Sequence, residues 1–243
     1  MAHRYYVNPK RIISSAATLT LDGEEAAHLS RVLRAKPGER ITAFDGTGMR
    51  YECCIQTVSQ QEVTCQILSS QAGCAEPDIA VTLYVGYPKS DKLEHIIQKA
   101  TELGAIRIVP FFSRFCVAAP KKEEQKNERY RRIALEAAKQ SGRDVIPRVE
   151  LPLTFDEMLQ QLPDYDAALF CYEAQPDSPG LNNLIAGAGT VAIITGSEGG
   201  FDEKEAEKAA AVSTPISLGP RILRCETAPL ATLCAVMTLS GNL

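Results

Sequence analysis

Groups that hold metals are scarce in this chain of 243 residues. Its only histidines are His3, His28 and His95, and its eight cysteines include no Cys-x-x-Cys pair. No metal site is expected on that spacing, and the cysteines read as buried, reduced thiols rather than a disulfide framework. Long apolar runs are missing as well. No window reaches the roughly eighteen uninterrupted apolar residues of a membrane helix, and residues 1–11 lack the apolar core of a signal peptide. A cytoplasmic protein with no membrane partner is therefore expected. The two commonest glycine-rich ligand loops are also absent. There is no Gly-x-x-x-x-Gly-Lys-Ser/Thr and no Gly-x-Gly-x-x-Gly opening a helix, which argues against an ATPase or a dehydrogenase. No internal repeat or low-complexity tract is present.

What is there is enough apolar residue, 45% of the chain, to bury a sizeable core. The net charge of -4 is unevenly spread. Residues 1–50 carry eight basic side chains (Arg4, Lys10, Arg11, Arg31, Arg34, Lys36, Arg40, Arg50) against five acidic ones, a balance of +3 that leaves -7 for the remainder. That asymmetry fits an N-terminal element that meets phosphate and a more acidic body with other work, although a chance excess on a solvated surface reads equally well.

Residues 17–69 alternate short apolar segments with turn signals such as Lys36-Pro37-Gly38 and Asp45-Gly46-Thr47-Gly48. The pattern predicts a small β-barrel with one helix over residues 24–33, and residues 71–77 read as the linker. Beyond it, apolar runs at 79–86, 106–111, 166–171, 190–195 and 214–218 alternate with helical spacing, which predicts a parallel sheet covered on both faces. The expected division is 1–72 and 73–243. In the helix at 92–103, Leu93, Ile96, Ile97, Ala100 and Leu103 form one stripe, and Lys92, Glu94, Lys99 and Glu102 read as a solvated face. A second helix is expected over 128–141. The last helix, 228–239, is apolar around nearly its whole circumference, so burial is expected, in the core or against a second subunit.

Two glycine-bearing segments carry the most information. In Gly196-Ser197-Glu198-Gly199-Gly200-Phe201 an apolar strand runs into a tight loop and then the acid-rich first turn of a helix. In Leu218-Gly219-Pro220-Arg221-Ile222-Leu223-Arg224-Cys225-Glu226-Thr227-Ala228 a short strand is followed by a turn, with Thr227 a candidate N-cap and Pro229 in the first turn of the final helix. Loops of this kind on adjacent parallel strands would converge on one crevice.

Together these two segments resemble the RsmE family, and the similarity extends to His28-Leu29-Ser30-Arg31-Val32-Leu33-Arg34, to Gln98-Lys99-Ala100-Thr101-Glu102-Leu103-Gly104 and to Gln140-Ser141-Gly142-Arg143. The resemblance implies an α/β fold: a C-terminal SPOUT methyltransferase domain, its parallel sheet flanked by helices and its chain drawn into a deep trefoil knot, preceded by a small PUA-like β-barrel domain. It also implies S-adenosylmethionine as methyl donor, N3 of a uridine in 16S ribosomal RNA as acceptor, and a homodimer through the knot region. Ser197 departs from the pattern, since the family usually has proline there, so this loop lacks a fixed φ.

By the same resemblance Gly196, Leu218, Gly219, Ile222, Leu223, Arg224, Thr227 and Ala228 line the cofactor pocket. Methyl transfer from a sulfonium needs positioning and no metal. Uridine N3 carries a proton near neutral pH, so a carboxylate to take it and a cation to stabilise the developing oxyanions are sought. Glu198, in the first loop, is the preferred candidate for the carboxylate and Glu226, beside Arg224 in the second loop, the other, with a bracing role for Glu198 equally weighted. Arg143 and then Arg114 are the candidate cations. For RNA capture, His28, Arg31 and Arg34 would share a helix face, with Lys36 just after and Arg4 nearby in the basic N-terminal segment. The assembled 30S particle is the expected substrate. Rival readings are a SPOUT enzyme acting on a ribose 2′-hydroxyl or another base, a non-catalytic RNA-binding or ribosome-assembly protein, and a small-molecule methyltransferase.

Overall fold

The computed structural model describes residues 4–89, 91–116, 123–172 and 180–243. The chain divides into two compact units, Met1–Glu76 with Ala138–Ile146, and Pro77–Ala137 with Pro147–Leu243.

The first unit is built on six strands: β1 (Arg4–Tyr6), β2 (Ile12–Ile13), β3 (Thr18–Asp22), β4 (Arg40–Phe44), β5 (Met49–Val58) and β6 (Glu62–Ala72). They form one sheet in the order β1-β4-β5-β6-β3-β2, antiparallel except for β1 with β4. Register shifts in β5 at Glu52/Cys53 and Ile55/Thr57 bend the strand and curl the sheet, as bulges do. The period-2 pattern puts Leu19, Leu21, Ile55 and Val63 inward, where they pack with Tyr5, Val7 and Leu29. The expected helix is α1 (Gly23–Ala27), continued by a π-helical turn over His28–Val32. It closes with Arg34 in the left-handed region at φ 52° and the Ala35 N–H donating to the Leu29 carbonyl at 2.9 Å. Residues 138–146 belong to this unit because Asp144, fully buried, accepts hydrogen bonds from Arg4 and from Arg50 Nε (3.2 Å) and Nη2 (2.7 Å).

The second unit alternates strands and helices. In chain order these are β7 (Ala80–Gly86), α2 (Lys92–Glu102), β8 (Arg107–Phe112), α3 (Glu123–Ser141, whose last residues fall in the first unit), β9 (Arg148–Val149), β10 (Leu153–Thr154), α4 (Phe155–Gln161), β11 (Ala167–Cys171), α5 (Leu181–Ile185), β12 (Thr190–Thr195), α6 (Glu203–Ala210), β13 (Thr214–Ile216) and α7 (Ala228–Leu239). All strand pairs are parallel, in the order β10-β8-β7-β12-β11-β13, with β9 on β8. The continuous burial of β7 and β12 is what a sheet covered on both faces requires. One side of it is an aromatic cluster of Tyr84, Phe111, Phe155 and Phe170, with Phe201 packed against it.

One expectation needs correction. The strands that lead into the glycine loops are not neighbours, because β11 lies between β12 and β13. Order along the chain does not fix order in a sheet whose connections cross over. The final helix, expected to be buried in the core or against a second subunit, is covered on one side within this chain: Pro229, Thr232, Leu233, Val236 and Met237 are covered, whereas Ala231 and Thr238 are exposed and Leu239 is 46% exposed. No helix among the described residues is long and apolar enough to cross a membrane.

Candidate active site

The site forms where the parallel strands end. In an open parallel sheet the loops leaving the carboxyl ends of the strands gather on one side, and the crevice opens where the strand order reverses. Here the order reverses at β7, with β8 to one side and β12 to the other, and the cleft beside the loop after β13 lies further along the same edge, at the ends of β11 and β13. The loop after β12 is a tight turn: the Gly200 N–H donates to the Ser197 carbonyl at 3.0 Å. It then enters α6 through a capping box, in which Asp202 accepts from the backbone of Lys204 and Glu205 while the Glu205 side chain returns to the Asp202 N–H. Gly86, at the end of β7, meets this turn so closely that a side chain there would collide with the Ser197 backbone nitrogen.

The loop after β13 turns at Gly219, whose φ of 94° is strained for any residue with a Cβ. Leu218, Gly219, Ile222, Leu223 and Ala228 then line a cleft of about 70 Å³ together with Cys171 and Tyr172. Ile222 is 86% exposed on its open side. Five of the eight residues expected to hold a cofactor thus share one cleft, while Gly196, Arg224 and Thr227 are not in its lining. Thr227 stands at the N-cap position of α7, but its side chain makes no capping hydrogen bond. A larger hollow, about 490 Å³, opens at Tyr165 to Leu169 and Val212 to Thr214. It lies at the amino ends of β11 and β13, away from the loops, and its one carboxylate, Asp166, is occupied by the backbone of Gly189 and Thr190.

The two loops are joined by charge. Lys92 Nζ lies 3.1 Å from Glu198 Oε1 and 3.2 Å from Glu226 Oε2. The Lys89 N–H also donates to Glu198 Oε1 at 3.1 Å, and the Cys225 thiol donates to Glu226 Oε2 at 3.2 Å. Partial burial pushes the Glu198 carboxyl upward, but hydrogen bonds from its own backbone N–H, from Lys92 and from the Lys89 N–H outweigh it and hold the group below the usual carboxylate range. Glu226 is held low by the Cys225 thiol, its own backbone N–H and Lys92. Lys92 is raised by its bonds to Glu198 and Glu226, and burial pushes Cys225 up to about 12. At neutral pH the cluster is two carboxylates, one ammonium and one neutral thiol.

Lys92, expected on a solvated face, is therefore a contact of both loops. Of its companions, Lys99 and Glu102 pair with each other at 2.8 Å one turn on, whereas Glu94 is also drawn to another element, pairing with Arg129 of α3 at 2.8 Å. One signal in the sequence pointed the other way. Lys92 opens α2, where the positive end of the helix dipole disfavours a cation, so it needs anionic partners.

The matched families fit this architecture. A family model described as an RNA methyltransferase domain matches residues 75–237, and one described as an RNA methyltransferase PUA domain matches residues 21–68. The ribosomal RNA small subunit methyltransferase E of Bacillus subtilis is 37% identical over 96% of this chain and 95% of its own. The chain belongs to the ribosomal RNA small subunit methyltransferase E family. The Synechocystis relative of the same description is 33% identical over 98% of this chain and 78% of its own. The crystal structure of the Neisseria gonorrhoeae member bound to S-adenosyl methionine superposes with a TM-score of 0.88, at 29% identity and 98% coverage of both chains. The expected domain order, a PUA domain followed by an RNA methyltransferase domain built on a parallel sheet, is the one this family member has.

Against that family assignment the remaining nominated residues fall into separate places. Arg114 is held at the start of α6, its side chain pairing with Asp202 and its N–H donating to Glu205 at 2.8 Å. Arg143 is buried in the first unit, with Nε 3.1 Å and Nη2 2.6 Å from Glu76 Oε2. Arg4 is also largely buried there, against Asp144 and over the Phe44 ring at 5.0 Å, and burial lowers its pKa. Arg31, Arg34 and Lys36 are exposed, with His28 half-buried and Val32 and Leu33 open to solvent beside them. Among the described residues no group of three His, Cys, Asp or Glu is placed to hold a metal.

Proposed function

We propose that the chain transfers a methyl group from S-adenosylmethionine to N3 of one uridine in 16S ribosomal RNA within the 30S particle. The observation that carries this reading is the cleft beside the Leu218–Ala228 loop in a member of a family named for small-subunit rRNA methylation, one relative of which is described as bound to that cofactor. The residues fit such a group: Leu218, Ile222 and Leu223 offer apolar surface for an adenine ring, Gly219 brings backbone near, and the uncommitted Thr227 hydroxyl can bond a polar atom. The cleft is too small to enclose the whole cofactor, so the exposed Ile222 side is where the rest would lie.

The cofactor supplies an electrophilic methyl on a sulfonium. The chain has then to orient the base, keep water away and deal with the N3 proton. Glu198, ionised and braced, presents a fixed carboxylate to accept that proton, and its depressed pKa makes it a weak base whose main contribution is position. Arg114, with a 68% exposed side chain, is the cation suited to charge developing on the uracil oxygens. Arg143 supports the first unit through Glu76, and Arg31, Arg34 and Lys36 supply phosphate contacts, with His28 on the same face. The reading includes the knotted C-terminal passage and a homodimer, for which Ala231 and Leu239 on the open face of α7 offer apolar surface.

The test uses the purified protein, labelled S-adenosylmethionine and 30S subunits lacking the modification, with the labelled nucleotide mapped by mass spectrometry. A single 3-methyluridine in 16S RNA is expected, formed faster on 30S than on bare RNA. A 2′-O-methyl product, or cofactor binding without transfer, would overturn the reading.

A further inference from the structure

We infer that Lys92 is a positioning residue that clamps the two cofactor loops together, a role that rests on the function proposed above. The loop after β12 reaches Lys92 through Glu198 and the loop after β13 through Glu226, at 3.1 Å and 3.2 Å. These loops leave strands that β11 keeps apart, so no sheet hydrogen bond joins them directly. One ammonium does. It sits at the first residue of α2, where the helix dipole is unfavourable to a cation and favourable to the two carboxylates. Side-chain exposures of 30% for Lys92, 26% for Glu198 and 30% for Glu226 keep the contact partly shielded from salt. The Lys89 N–H holds Glu198 from the same inter-element loop, so the β7–α2 connection is the anchor and the glycine loops are what it gathers.

Removing the ammonium leaves Glu198 and Glu226 facing each other as like charges. The loop after β13 then loses its tie while its own residues still fold, and that loop carries Leu218, Gly219, Ile222 and Leu223 of the cleft. The affinity affected is therefore that for the cofactor, not for the RNA. Arginine at this position keeps the charge and can reach two carboxylates with its forked donors.

The experiment titrates S-adenosylmethionine into the full chain by calorimetry and follows methyl transfer to 30S subunits. Lys92→Met and Glu226→Gln should each weaken cofactor binding about tenfold, and Lys92→Arg should stay within about threefold of the unsubstituted chain. KM for the cofactor should rise in both variants while KM for the 30S substrate stays near its original value, a split that general destabilisation would not produce; in Lys92→Met kcat moves as well, because Lys92 braces the Glu198 carboxylate. If Lys92→Met fails to fold, Glu226→Gln, which leaves the Lys92 to Glu198 pair intact, carries the test. Unchanged cofactor affinity in Glu226→Gln and in folded Lys92→Met, with tight binding by the original chain, would overturn the clamp alone. No binding by the original chain would overturn the proposed function and the clamp with it.

Discussion

Ser197 buries a hydroxyl that finds no hydrogen-bond partner, at 6% exposure in the turn after β12. An unsatisfied buried hydroxyl costs roughly 1–3 kcal/mol, so its loss should not harm the fold. Ser197→Ala is expected to leave the melting temperature unchanged or to raise it, by up to about 1 kcal/mol of stability, and a scanning melt would read this. A marked drop would mean that the hydroxyl is bonded in solution. Lys92 shows the opposite situation at the same scale. Its charge looks solvated from helical spacing alone, yet two carboxylates from distant points of the chain meet it. Periodicity reports which face of a helix is apolar; it says nothing about which polar side chain another loop will seek.

At the scale of elements, helix starts near the site differ in how they are capped, and the difference is measurable. Asp202 accepts from two backbone N–H groups and also pairs with Arg114, whereas Thr227 caps nothing. Asp202→Ala should cost about 1 kcal/mol or somewhat more, typical of a lost N-cap, while Thr227→Ala should be close to neutral in a denaturant titration. Equal effects would contradict this division. The segment 138–146 offers a stronger case. Asp144 is fully buried between Arg4 and Arg50, and Glu76 accepts the N–H groups of Asp144 at 2.9 Å and Val145 at 3.0 Å. Asp144→Ala leaves two poorly exposed guanidiniums without their anion and should destabilise the first unit by about 3–5 kcal/mol. A loss below about 1 kcal/mol would show that water replaces the carboxylate. The same network explains why two arginines nominated for RNA and catalysis, Arg4 and Arg143, are committed to internal partners: an arginine's charge is visible in a sequence, and the acid that will neutralise it across 140 positions is not.

For the whole molecule, carboxylates set the response to acid. Glu157 and Asp166 are depressed by bonds to Thr154 and Thr190, Asp202 by its cap, and Glu198 and Glu226 by the contacts described above. A carboxylate lowered in the folded state adds stability that is complete above its unfolded pKa, near 4, and that disappears as pH falls through the lower folded value. The melting temperature should therefore be flat from about pH 8 to about pH 5 and fall below about pH 4. Thermal melts across that range would check it, and a rise in stability on acidification would contradict it.

The sequence by itself determined the local elements. Five strand segments of the second unit, the last of them only three residues long, the stripe of α2 and the bounds of α7 follow from apolar period and from Gly and Pro signals, because those depend only on neighbours within a few residues. The two glycine loops were legible as tight strand-to-helix connections for the same reason: tight backbone and strand-turn-helix order are local. Tertiary structure alone decided that β11 stands between β12 and β13, that residues 138–146 belong to the first unit, and that Lys92 joins Glu198 to Glu226. Each of these is a pairing between segments far apart in the chain. Such pairings are set by how crossovers place strands and by where buried charge finds its opposite, and neither quantity has a period that a sequence can display.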